Sequence, residues 1–161
     1  MRTKNHVAIA ITVALALTMT LAITSVAAGG RTFNLALSSA EEVPVPTDEA
    51  SGTAWIQINP GQGEVCFEIT WQGVTDPQGV ASTVVAAHIH VAPVGVAGPV
   101  LVPLFLTPQV SDANGDGSAA ACVTSDLGAR ALAQILAHPS AYYVNVHSAA
   151  NPPGAIRAQL G

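Results

Sequence analysis

The side chains with the most chemical scope in this sequence are its histidines. Five occur in 161 residues, and two of them, His88 and His90, flank a single isoleucine inside the apolar run Val84–Val91. A run of this kind reads as a strand, and strand side chains alternate between two faces. His88 and His90 therefore share one face, with Cα atoms about 6.6 Å apart, and Val85, Ala87, Ile89 and Val91 take the other. Two imidazoles so placed can converge on one ion, because each needs a metal–nitrogen distance of about 2.0–2.1 Å. His147 closes a second strand-like run, in which Tyr143, Asn145 and His147 face away from Tyr142, Val144 and Val146. If the two strands are neighbours, His88, His90 and His147 form a three-histidine site. Neutral imidazoles without a thiolate suit copper(II) or zinc(II), and the affinity order favours copper. Three protein ligands also leave a coordination position open. The competing interpretation is a polar strand face whose histidines hold no ion. His138, beside Pro139, is assigned to the favourable end of a helix dipole, and His6 lies in the N-terminal segment.

Other motifs carry less. Asp112-Ala113-Asn114-Gly115-Asp116-Gly117 copies the start of a calcium loop, but Val123 stands where the closing Glu is needed. The Asn-Gly and Asp-Gly pairs make it a hairpin turn instead. Gly95 and Gly98-Pro99 lack the strand–helix context of a phosphate loop and read as a turn. No Gly-x-Ser-x-Gly elbow occurs. Glu41 and Glu42 are adjacent acids, and Arg157, which alternates away from Ile156, Ala158 and Leu160, can reach a carboxylate on a neighbouring strand. No nucleophile–base pair is legible, so the sequence leans towards a binding protein and away from an enzyme.

The elements that must position the histidines are mostly strands. Thr32–Ser38, Gly52–Ile58, Glu64–Trp71, Val84–Val91, Val100–Leu106, Ser118–Thr124, Tyr142–His147 and Ala155–Leu160 alternate or run apolar between clusters of turn residues. Asn59-Pro60-Gly61-Gln62-Gly63 joins the second and third as a hairpin, and Asn151-Pro152-Pro153-Gly154 joins the last two. Pro103 marks the fifth as an edge or bulged strand. One helix is expected over Leu127–Ala137, with N-cap candidates in Thr124-Ser125-Asp126 and Pro139 as its stop. The fold class is all-β, an antiparallel Greek-key-like sandwich or barrel with one short helix.

Length allows about one domain. Arg2 and Lys4 precede an apolar run from Val7 to Ala28 that ends in small residues, the pattern of a secretory signal over 1–28. The run is also long enough to be a retained membrane anchor, but no basic flank follows it. Cleavage leaves an exported chain, secreted or held in an extracytoplasmic space, with no membrane span in the mature form. All ten acids lie beyond residue 28, against three arginines and no lysine, a net charge of −7 that repels phosphate backbones and disfavours nucleic acid. The two cysteines, Cys66 and Cys122, pair as a disulfide in an oxidising compartment. The alternative is two buried thiols.

Five segments in order carry a family likeness: Leu37–Pro44 (LSSAEEVP), Ala86–His90 (AAHIH), Gly95–Val100 (GVAGPV), Tyr143–His147 (YVNVH) and Gly154–Leu160 (GAIRAQL). Together they resemble the CHRD domain, a module named from chordin and found alone in exported microbial proteins, over about residues 32–161. Ala155 departs from the acid more often seen before Ile-Arg. The histidine strand is also similar to the copper strand of Cu/Zn superoxide dismutases, whose Greek-key sandwich is the fold this implies. No bridging histidine or zinc subsite matches, so dismutase activity is not implied. Two functions follow as expectations: an exported protein binding copper or zinc through three histidines, or a structural or adhesive module that meets an extracellular protein partner through loops such as Val43–Glu49 and Val91–Pro99.

Overall fold

A computed structural model describes residues 30–161, so the signal expected over 1–28 lies outside the described residues. Eight strands follow in order: β1 (Arg31–Ser38), β2 (Ser51–Asn59), β3 (Glu64–Gln72), β4 (Val84–Val91), β5 (Val100–Phe105), β6 (Gly117–Thr124), β7 (Tyr142–Ser148) and β8 (Ile156–Gln159). A single α-helix, α1 (Gly128–Ala137), stands between β6 and β7. All ladders are antiparallel, and they join into one sheet of order β5-β4-β7-β8-β1-β2-β3-β6. The sheet curls into a nearly closed barrel. Its free edges, β5 and β6, face each other across a groove between Val102 and Leu104 on one lip and Val123 and Leu127 on the other.

Period-two patterning builds the interior. Phe33 and Leu37 of β1, Ala54, Ile56 and Ile58 of β2, and Val65, Phe67, Ile69 and Trp71 of β3 are all buried in one core, as alternation places them. The β2–β3 hairpin turns at Gly63, whose φ of 66° a residue with a Cβ rarely adopts. Helix α1 adds Leu132 and Ile135 to the same core. Among the described residues no helix is long and apolar enough to cross a membrane.

Three local expectations are corrected. Val85 does not join the core; Val84 does, with Ala87 and Ile89. The ladder steps from Val84↔Ser148 to Ala86↔His147, so Val85 is the extra residue of a β-bulge, and the bulge reverses strand parity ahead of it. The helix begins at Gly128 with Leu127 at the N-cap position, unaided by any side chain. Gly128 adopts φ 74°, which separates α1 from the preceding turn, and the Ser125 hydroxyl accepts the Leu127 N–H of that turn (3.3 Å) instead of capping the helix. The Asp112–Gly117 segment is a tight turn closed by Asp112 Oδ1, which accepts from the Asn114 and Asp116 N–H groups. It introduces β6 but joins no hairpin, because β5 and β6 are not ladder partners.

Cys66 and Cys122 are direct partners across the β3–β6 ladder and form a disulfide. The pair stands at disulfide distance, the arrangement expected of it in an oxidising compartment.

Candidate metal centre

Strands β4 and β7 are neighbours, and their register lays the polar face out in rungs. His88 pairs with Asn145, which pairs with Arg157 of β8. The next rung is His90, Tyr143 and Gln159. His147 sits opposite Ala86, one rung beyond His88. The histidines project away from the core that Ala87, Ile89, Val144 and Val146 fill.

This adjacency brings the three rings together. Ring centroids lie 4.8 Å apart for His88–His147, 5.4 Å for His88–His90 and 5.5 Å for His90–His147. One ligand nitrogen from each lies within 4.8 Å of the other two. The Nε2 atoms of His90 and His147 are 3.4 Å apart. Two nitrogens bound to one ion at about 2.0–2.1 Å in a tetrahedral arrangement are separated by about 3.3–3.4 Å.

Hydrogen bonding fixes the tautomers. His90 Nδ1 lies 2.9 Å from the Gly98 carbonyl oxygen, and His147 Nδ1 lies 2.9 Å from that of Pro152. A carbonyl only accepts, so both Nδ1 atoms carry the proton and donate it. In the neutral rings both Nε2 atoms then present lone pairs, and these face each other with no hydrogen between them. That arrangement is repulsive unless a cation sits at the meeting point. Nδ1–H to carbonyl bonds are also what commonly orients metal-bound histidine. The Nδ1 of His88 is buried without a hydrogen-bond partner among the described residues, an atom whose desolvation nothing in the protein offsets.

Electrostatics keep the rings available as ligands. Burial, followed by the neighbouring charges of His147 and His90, pushes His88 down to about 4. Burial also lowers His90 and His147 against the opposing hydrogen bonds to Gly98 and Pro152. A proton is thus a poor occupant of the space between the rings.

The histidine face was expected to be a polar face, and the structure covers it. The segment after β4 folds back over it. His90 is buried and stacks on Tyr143, with centroids 4.8 Å apart and planes 14° apart. The Tyr143 hydroxyl accepts the Gly98 N–H (3.0 Å). Arg157, expected to seek a carboxylate, places its guanidinium 3.5 Å from the Tyr143 ring centroid and donates to the carbonyls of Val96 (2.9 Å) and Pro93 (3.2 Å). It pins the returning loop, because the nearest acceptors to its buried fork are backbone oxygens. Gly98 is where this loop comes closest: a Cβ there would strike the Val91 carbonyl oxygen and lie 2.7 Å from Ala92 Cβ. Gly98→Ala is therefore expected to destabilise the protein by about 1–3 kcal/mol and to shift the carbonyl that orients His90. Urea unfolding of the variant checks the first.

One buried acid borders the cluster. Glu42 is 3% exposed. Its Oε2 accepts from Asn145 Nδ2 (3.4 Å), whose other acceptor is the Pro153 carbonyl (3.4 Å). Burial pushes Glu42 up to about 7, with the Arg157 charge, the Val43 backbone and Asn145 opposing. In the sequence Glu42 stands out only as half of an acid pair with Glu41. The roles of Asn145 and Tyr143 had one signal, their phase with His147. Nothing local pointed to Gly98 O or Pro152 O as histidine acceptors. His138 ends α1 at its C-cap, apart from the cluster in the chain's architecture. Glu64 lies near Cys66 and Cys122, but both sulfurs are spent on the disulfide.

A family model described as the CHRD domain matches residues 33–160. The chain belongs to the CHRD domain family. No curated protein and no solved structure matches it. Within this CHRD domain the five segments that carry the likeness meet around the histidines. Leu37–Pro44 supplies Glu42, Gly95–Val100 supplies Gly98, and Gly154–Leu160 supplies Arg157. Ala86–His90 and Tyr143–His147 supply the rings themselves.

Proposed function

We propose that this CHRD domain is an exported metal-binding protein that holds one copper or zinc ion between His88, His90 and His147. The observation that carries this reading is the pair of Nε2 atoms 3.4 Å apart, each on a ring whose Nδ1 proton is committed to a carbonyl. Protein groups alone leave two lone pairs opposed, and a cation relieves them. The all-imidazole donor set suits copper(II) or zinc(II) better than hard cations. Export is supported by the basic-then-apolar N-terminus and by the disulfide. A bound ion would keep an open position able to take water or a small ligand. The chain's own contribution is to present three neutral rings in a partly buried patch, two of them oriented by Nδ1–H bonds to backbone carbonyls.

Metal analysis of the mature protein, refolded in the presence of copper or zinc and then desalted, tests this. About one ion per chain is expected, and His88→Ala and His147→Ala should each lower retention at least tenfold, in line with loss of a ligand. Equal retention by both variants would defeat the metal reading. It would leave the loop-mediated adhesive role, to which exposed Val45, Val94 and Val96 belong.

A further inference from the structure

A carboxyl group at 3% exposure normally has a cation or several donors around it. Glu42 has neither. Its Oε2 receives one long hydrogen bond from Asn145, and its Oε1 has no partner among the described residues. Gly154 packs so closely that a Cβ there would collide with the carboxyl group, so the acid is boxed in by backbone. Asn145, which holds it, is the rung partner of His88 and stands two residues before His147. The Asn145 Oδ1 is a second buried atom without a partner, and His88 Nδ1 is a third. Asn145 thus links Glu42, through its side-chain hydrogen bond, to His88, its partner across the β4–β7 ladder. Arg157 is the charge that acts on Glu42, but its donors go to Val96, Pro93 and Gln159. Glu41 is exposed.

We propose that Glu42 is the internal counter-charge of the histidine site, protonated when the site is empty and ionised when a divalent cation is bound. This inference rests on the metal reading and deepens it. The balance is simple: the dication enters, the Glu42 O–H bond breaks, the electron pair stays on the carboxylate, and the proton leaves to solvent. Three neutral imidazoles contribute no charge to offset a dication in a covered patch. A carboxylate one residue contact behind them does so without becoming a ligand. The strong burial of Glu42, which holds it at about 7, keeps the proton on in the empty protein under mildly acidic conditions.

The test is calorimetric titration of the refolded domain with zinc(II) alone near pH 6, in two buffers of different ionisation enthalpy, for wild type and Glu42→Gln. Wild type should release close to one proton more per zinc than the variant, and the variant should bind about tenfold more weakly, the scale of a charge interaction across a partly shielded gap. The glutamine copies the protonated acid, so folding is retained. Without zinc, the raised Glu42 contributes stability that is full below about 4.5 and is lost as pH rises through about 7, a fall in Tm that Glu42→Gln abolishes. Infrared difference spectra of wild type supply a measurement free of mutation: the protonated-carboxyl stretch should vanish on adding zinc. Equal proton release by both proteins, or an unchanged carboxyl band while zinc binds, overturns the counter-charge role and leaves the metal reading intact. Failure of wild type to bind zinc defeats both.

Discussion

Zinc(II) at a thousandfold excess over its dissociation constant should stabilise the folded domain by about 4 kcal/mol, because a ligand that binds only the native state shifts the equilibrium by mass action. For a domain of this size that corresponds to a rise in Tm of roughly 10–20 °C. His88→Ala should remove nearly all of the gain. The variant itself should fold well without metal, since it deletes a ring whose Nδ1 is buried and unpartnered. The sign with pH follows from the ring environments. A histidine held down to about 4 in the fold and near 6.5 in the unfolded chain contributes stability that is full above about 6.5 and is lost as pH falls through about 4. Burial lowers His90 and His147 as well, so zinc-dependent stabilisation should extend to lower pH than freely exposed imidazoles would allow. Scanning calorimetry across pH, with and without zinc, measures this. A metal gain retained by His88→Ala would show that the ion binds elsewhere.

Removing the disulfide should have a comparable effect. Cys66 and Cys122 are 56 residues apart in sequence, and opening that loop in the unfolded chain costs about 4 kcal/mol of stability on the chain-entropy account. The structure adds where the loss should appear. Strand β6 is an edge, paired with β3 alone, and most of its side chains are exposed or half-buried. It has little apolar contact to hold it once the cross-link is gone. The Cys66→Ser/Cys122→Ser double variant should show a lower urea midpoint, with amide exchange accelerated first along Gly117–Thr124. Zinc affinity should be unchanged, because β4, β7 and β8 lie towards the opposite end of the sheet order. Loss of metal binding in this variant would mean that the barrel edges communicate across their groove.

Much of the fold was legible because strand alternation is a local property. Phe67, Ile69 and Trp71 announce a buried face from their spacing alone, and Pro103 announces an edge because it cannot donate to a ladder. The bulge at Val85 was not legible, since an extra residue becomes visible only when a partner strand counts against it. The missed cap at α1 has a different cause. Ser125 is a good capping residue, but the left-handed Gly128 spends it on the turn before the helix.

The candidate site divides the same way. The sequence by itself determined which residues were neutral metal-ligand types, that His88 and His90 share a face, and that His147 shares one with Asn145 and Tyr143. It also determined the family, through five short segments. Only the tertiary structure decided that β4 and β7 are neighbours in a register that brings His147 beside His88, that Gly98 and Pro152 lend their carbonyls to two of the rings, and that Glu42, 103 residues from Asn145, closes the patch from behind. Alternation is set by each strand's own backbone geometry. Strand neighbours, register and the burial of a polar face are set by the packing of the whole barrel, and no spacing within a single strand encodes them.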